Sequence, residues 1–315
     1  MRHLISLKEQ GPSELREILD LALRMKSDGR DAWEDALRQK SLIMLFQKTS
    51  TRTRLSFEIA MTELGGHAVF LDQRTTNLAL ADFRDEIRVI LGMGDALMFR
   101  ALEAADVELA ASMNIAPVID ACSEKYHPCQ ALGDILTMAE DAGGIEKIGK
   151  IVWLGIENNV SNTLLCAAAK LGIEIVCVSP ERDPASLDEE LLRQAEMTGK
   201  VRRTLDLREA LDGARYVHTD TWTNMEFFGP DGKVRDGFGQ EYERRKQIFG
   251  PYQLSQEMLD QYGAQAKIMH CMPCHVGYEI TRSAIDSPGS LIFPQALNRK
   301  HVQKAILVWL LGRVA

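Results

Sequence analysis

No stretch of this sequence is long and apolar enough to cross a bilayer. The longest apolar run, residues 305–312, falls far short of the roughly 20 residues that a spanning helix needs. The amino-terminal stretch lacks the apolar core of a secretory signal, so a cytoplasmic location is the expectation. Excess positive charge is missing too. Lys and Arg number 37 against 45 Asp and Glu, a net charge of −8. That balance argues against general nucleic-acid binding, which needs a broad basic face. An anionic ligand must then be held by a local cluster of cations. Six cysteines in 315 residues form no disulfide framework, and free thiols are expected. Cys166 and Cys177 sit in apolar runs and read as small buried hydrophobes. The glycine fingerprint of dinucleotide sites is absent at residues 155–159, where it would sit, which disfavours a nicotinamide cofactor. Repeats of solenoid period and low-complexity tracts are absent as well.

What is present is alternation. A chain of 315 residues suggests two domains of about 150 residues each. Helical spacing runs over residues 12–25, and an apolar strand over 41–46 is followed by a helix at 55–64 that Gly65 and Gly66 end. Strands at 68–71, 95–99 and 116–120 follow, with a helix at 103–113 between the last two. A helix at 130–141 then leads to Gly143 and Gly144, the expected domain boundary. The second half repeats the pattern, with strands at 150–155, 173–178, 216–220 and 267–270 and helices at 162–171, 187–198 and 300–311. Such alternation predicts an α/β fold of two domains, each a parallel β-sheet flanked by helices. The polar segment 221–253 reads as a functional loop or lid.

Polar clusters fall where strands end, which is where ligands bind open α/β sheets. Ser50, Thr51, Arg52, Thr53 and Arg54 join a strand to a helix. Hydroxyls, free backbone N–H groups and guanidinium forks together make an anion site. The plainer reading is an N-cap with solvated arginines. Arg100 ends another strand. His127 and Gln130 are three apart at the start of a helix and could face one ligand. Cys271 and Cys274, flanked by His270 and His275, have the spacing of a zinc pair, and Cys122, His127 and Cys129 could add ligands. Pro273 inside the pair and the lack of a second such pair weigh against metal. Burial of the thiols, or a reactive Cys271, stays open. Asn158 and Asn159 are turn residues or neutral hydrogen-bonding groups.

Taken in order along nearly the whole chain, these clusters resemble the aspartate/ornithine carbamoyltransferase family. Ser50 to Arg54 resembles its carbamoyl-phosphate signature, and Arg100 with His127, Pro128, Cys129 and Gln130 its second and third donor elements. His270, Cys271, Met272 and Pro273 resemble the His-Cys-Leu-Pro motif of the ornithine branch. Asn298 and Arg299 resemble a late Asn-Arg that completes the donor site. The resemblance implies a carbamoyl-phosphate domain at 1–142, onto which residues 298–315 pack back, and an amino-acid domain at 143–297. It implies a homotrimer with sites between subunits, in which loop 73–82 reaches a neighbour's donor site through Thr76 or Asn77. It implies no metal and no organic cofactor.

The implied mechanism assigns Ser50, Thr51, Arg52 and Thr53 to the phosphate. Arg100, His127 and Thr53 polarise the carbonyl, and Gln130 with the backbone around Cys271 and Met272 orients the carbamoyl nitrogen. Cys271 and Asp220 guide the attacking amine and help to remove its proton. Asn159, Asp220, Asn224 and Met225 would hold the amino-acid end. Here the chain departs from its relatives: Asn224 stands for a serine, Glu226 for a glycine, and an arginine is missing around Cys274 to Gly277. The acceptor is therefore expected to be ornithine or a close analogue, with N-acyl-ornithine, putrescine or another diamine as alternatives. A non-catalytic phosphate- or amino-acid-binding protein and a zinc protein are the rivals from other classes.

Overall fold

The computed structural model describes residues 1–312 except Ala79, Ala81, Met225, Glu226 and Pro230. The expected roles of Met225 and Glu226 thus lie outside the described residues. Among the described residues, no helix is long and apolar enough to cross a membrane.

In chain order the elements are α1 (Pro12–Asp28), β1 (Ser41–Phe46), α2 (Thr51–Glu63), β2 (His67–Asp72), α3 (Phe83–Met93), β3 (Ala96–Arg100), α4 (Ala104–Ser112), β4 (Val118–Asp120), α5 (Pro128–Ala142), β5 (Lys150–Leu154), α6 (Asn159–Lys170), β6 (Ile175–Val178), α7 (Glu189–Met197), β7 (Val201–Arg203), α8 (Leu207–Leu211), β8 (Ala214–Thr219), α9 (Gly239–Phe249), α10 (Gln256–Gln261), β9 (Lys267–His270), α11 (Arg282–Ile285) and α12 (Ile292–Leu311). They build two sheets. The first has the order β2-β1-β3-β4 and the second β7-β6-β5-β8-β9. Every pairing within them is parallel. Parallel strands are covered on both faces by their crossover helices, which is why β1 and β5 are almost wholly apolar and buried.

The short elements β7, α8, α10 and α11 were not expected, and three longer ones also differ from expectation. Residues 221–253 are not all loop, because α9 occupies Gly239–Phe249. Its face is so polar that only Phe249 is buried, which leaves almost no apolar period to read. The segment before β3 carries α3, capped by the Asp82 side chain on the Arg84 N–H, and it buries Ile87, Ile90 and Leu91 at helical spacing. The last helix starts at Ile292 rather than 300. Pro294 lies in its first turn, where the missing N–H costs nothing. Gln295, Asn298 and Arg299 are therefore helical, and all three are buried.

Helix α12 closes the first half, not the second. It packs on α5, α1 and α2. Asn298 donates to Thr137 Oγ1 at 3.0 Å and to Glu140 at 2.7 Å. Glu63 of α2 lies between Lys300 at 2.7 Å and Lys304 at 3.1 Å. Removing one partner of so buried a pair costs roughly 3–5 kcal/mol.

The two halves are also stitched by polar contacts. Lys170 of α6 donates to the carbonyls of Leu7, Lys8 and Gln10 at 2.7–2.8 Å. Asn159 donates to the Ser123 carbonyl at 2.7 Å. Thr163 Oγ1 accepts the His127 N–H at 2.8 Å.

Candidate active site

Each sheet has a switch point where the chain leaves one neighbour and returns on the other side. In the first it lies between β1 and β3, in the second between β5 and β8. The register sets the carboxyl ends level there, with Phe46 opposite Arg100 and Leu154 opposite Thr219. His270, the end of β9, lies opposite Thr219 in turn. Crevices at such points are the default ligand sites of open α/β sheets. The residues expected to carry chemistry follow directly from these ends.

At the first switch point Ser50 caps α2. Its Oγ accepts the Thr53 N–H at 3.3 Å and donates to Thr53 Oγ1 at 3.0 Å. The opening N–H groups of this 13-residue helix therefore face the crevice as anion donors. Arg299 reaches the same point from α12, donating to Gln130 Oε1 at 2.6 Å and lying 3.4 Å from Thr53 Oγ1. Arg100 and His127 are buried. Burial, and then the charges of Arg299, Arg100, Lys48 and Arg52, hold the His127 imidazole well below its ordinary value. It is thus a neutral hydrogen-bonding group amid four cations. His127 Nδ1, Arg100 Nε and Arg299 Nε are buried without a hydrogen-bond partner among the described residues. Buried orphan polar atoms are uncommon in folded proteins, and a cluster of them marks a place built for a ligand.

Arg54 does not join this cluster. It pairs with Glu58 at 3.0 Å and stacks on Phe70 at 3.8 Å, exposed on the outer face of α2. The i,i+4 spacing to Glu58 favours that pairing. That leaves Ser50, Thr51, Arg52 and Thr53 as the motif's candidates for an anion. Lys48, the fourth cation around His127, carries no sequence signal beyond lying two residues before Ser50. Thr76 and Asn77 stand apart from the crevice of their own chain. Thr76 Oγ1 donates to the Gln73 carbonyl at 2.8 Å, and Asn77 is exposed.

At the second switch point Cys271 donates its thiol to Asp220 Oδ1 at 2.8 Å, and Asn158 donates to Asp220 Oδ2 at 2.7 Å. Asn158 also caps α6, accepting from Val160 and Ser161. It is a turn residue and a site residue at once. Burial and the neighbouring Asp220 push the Cys271 thiol well above its ordinary value. Cys271 is therefore a neutral donor and not a thiolate base. Asn224 is exposed and does not reach Asp220's partners. Arg52 Nη2 reaches from the first switch point to the second, donating to the Met272 carbonyl at 2.7 Å. A carbonyl oxygen has two lone pairs, so this oxygen retains one for a ligand.

Asp220, His270 and Cys271 bring potential ligand atoms within 4.8 Å of one another, the one such trio among the described residues. Their donors are already committed. The thiol is spent on Asp220, His270 Nδ1 accepts the Met272 N–H at 2.8 Å, and His270 Nε2 faces Glu279 at 3.2 Å. Cys122 accepts from Asn159, and the Cys129 thiol points at the Asp120 carbonyl. Cys122 and Cys129 thus point away from the Cys271–Cys274 pair and add no ligands to it. All six cysteines are free thiols.

Comparison with known proteins agrees with this geometry. The profile of the aspartate/ornithine carbamoyltransferase carbamoyl-P binding domain matches residues 2–140, and that of the Asp/Orn binding domain matches residues 148–310. An ornithine carbamoyltransferase of Archaeoglobus fulgidus is 39% identical over 99% of this chain and 98% of its own length. One of Methanospirillum hungatei is 40% identical over 99% of both. The solved ornithine carbamoyltransferase of Pyrococcus furiosus superposes with a TM-score of 0.86 at 35% identity, covering 100% of this chain and 98% of that one. The chain belongs to the aspartate/ornithine carbamoyltransferase family.

Proposed function

We propose that this protein transfers the carbamoyl group of carbamoyl phosphate to the side-chain amine of ornithine, giving citrulline and phosphate. One observation carries the reading. A neutral, buried His127 stands amid four cations at the first switch point, and a bridge from Arg52 to Met272 joins that point to the segment that carries the Cys271–Asp220 pair. The first assembly suits a dianionic phosphate beside a carbonyl, and the second suits a cationic amine.

Ser50, Thr51, Arg52 and Thr53 hold the phosphate, with Lys48 and Arg299 adding charge. Arg100, His127 and Thr53 donate to the carbonyl oxygen and stabilise the negative charge that it gains on attack. Gln130 and the Met272 carbonyl receive the carbamoyl N–H groups. Asp220 attracts the acceptor's ammonium, and Asn159 borders its amino-acid end. The acceptor's ammonium gives up one proton to solvent; its neutral nitrogen then bonds to the carbamoyl carbon and the bond from that carbon to the phosphate oxygen breaks. The released phosphate accepts the remaining proton. Cys271 keeps its own proton and orients Asp220. Fixing two reactants face to face supplies much of the rate. None of these steps calls for a metal or an organic cofactor.

The acceptor is the open end of this reading, because Asn224 stands exposed where a closer hold on an α-amino group is expected. A panel of ornithine, N-acetylornithine, putrescine and aspartate, assayed for carbamoylation, is expected to give the highest kcat/KM with ornithine. Turnover of aspartate alone, or of none, would sink the proposal.

The assembly proposed is a homotrimer in which loop 73–82 completes a neighbour's donor site through Thr76 or Asn77. The exposure of Asn77 supports it. So do Leu55 and Ile59 on α2 and Val69 on β2, which are 51%, 43% and 38% exposed on adjoining elements. Sedimentation is expected to return three times the 35.3 kDa chain mass. A monomer at assay concentration would refute it.

A further inference from the structure

Gln130 is held by more than the ligand that it is read to bind. Its Oε1 accepts from Arg299 at 2.6 Å and its Nε2 donates to Asp134 Oδ1 at 2.7 Å. A guanidinium only donates and an ionised carboxylate only accepts, so these two neighbours fix which way round the amide sits. The carbonyl end is turned to the donor crevice. Asp134 is wholly buried, and an unpartnered carboxylate there would be costly.

Asp134 is in turn held from the far half of the chain. Gln295 of α12 donates to its Oδ1 at 2.7 Å. His218 of β8 presents Nε2 to its Oδ2 at 3.1 Å. Gln295 cannot turn round either, because its Oε1 accepts the His270 N–H at 3.0 Å. His218 is wholly buried and stacks on Trp153 at 5.0 Å. Its Nε2 lies 3.1 Å from Asp134 Oδ2 and 2.9 Å from Gln295 Nε2; with the proton on Nε2, His218 donates to the Asp134 oxygen, which has no other partner among the described residues. The result is a buried chain of hydrogen bonds from His218 and the His270 backbone, through Gln295 and Asp134, to Gln130.

We propose that His218 and Gln295 are positioning residues that, through Asp134, lock the Gln130 amide with its carbonyl toward the carbamoyl N–H groups, so that the acceptor half sets the donor half's selectivity for an amide-bearing phosphate. The inference rests on the carbamoyl-transfer reading and adds to it two residues that touch neither substrate. It predicts a selective defect. Losing the His218 hydrogen bond frees Asp134 and then Gln130, whereas Ser50, Arg52 and Thr53 on the phosphate make no bond to Asp134 or Gln130.

The test is binding of carbamoyl phosphate against inorganic phosphate by His218→Leu and His218→Gln, alongside the wild type. A hydrogen bond to a buried charge lost in His218→Leu is expected to weaken carbamoyl phosphate by about tenfold or more, with phosphate affinity unchanged. His218→Gln, whose amide nitrogen reaches the place of Nε2, is expected to regain most of the loss. Equal weakening of both ligands, or no weakening of either, overturns the relay. If His218→Leu fails to fold, Gln295→Met, which keeps the volume and removes the relay's other bond to Asp134 together with that to the His270 N–H, is read in the same way. A wild type that neither binds nor uses carbamoyl phosphate would instead refute the proposed function, so the two failures are distinguishable.

Discussion

Arg52→Ala is expected to lower kcat/KM by roughly 10³-fold or more, since one preorganised donor to a developing charge is commonly worth 10²–10³ and this one also grips a phosphate. The side chain lies at the start of α2 and donates to the Met272 carbonyl at 2.7 Å. Truncation removes a charged fork from the phosphate and, in the same stroke, the bond that joins the two crevice walls. It leaves the core alone, because Arg52 is only partly buried. The thermal midpoint is therefore expected to stay near that of the wild type. Arg52→Lys should recover only a fraction, because an ammonium is a point charge and cannot donate two parallel bonds. A folded Arg52→Ala enzyme with near-normal turnover would show that the phosphate sits elsewhere.

Asp220→Asn is expected to give the opposite split. Asp220 takes one bond from Cys271 and one from Asn158, and it supplies the negative charge that a cationic acceptor would meet. An amide keeps the shape but loses the charge. Removing one member of a buried charged pair costs roughly 2–5 kcal/mol, so kcat/KM for ornithine should fall about 10²-fold or more. The dissociation constant of carbamoyl phosphate should hold, because the donor's cations are all on the other wall. Steady-state kinetics in ornithine with direct binding of carbamoyl phosphate separates the two. An equal loss in both would mean that Asp220 is a support of the whole crevice and not an acceptor residue.

The donor side was written locally. Hydroxyls and arginines within five residues, just past a buried strand, are a pattern that physics alone can interpret, and Ser50 caps α2 there. The parallel, helix-flanked sheets were equally legible, since apolar runs with no alternation mean burial on both faces. Three things were not. Arg54 has the same chemistry as Arg52, and only its place on the outer face of α2 sends it to Glu58. The spacing from Cys271 to Cys274 looks like metal binding until Asp220 and Glu279 are seen to take up its neighbours' donors. Asp134, His218 and Gln295 are ordinary letters far apart in the chain, and nothing local says that they meet in one buried network.

Helix α12 ties the ends of the chain together. Trp309 bonds Glu17 at 3.0 Å across 292 positions, and Arg299 on the same helix donates to Gln130. As the chain leaves the ribosome, the first half is made long before the segment that covers α1, α2 and α5. It must wait with that apolar surface open, while the second half can close as soon as β9 emerges. Contacts of such long sequence separation are slow to form. The half synthesised first is therefore the half finished last, and a nascent chain stalled before residue 292 would carry every phosphate-binding residue of α2 on a sheet still missing one wall.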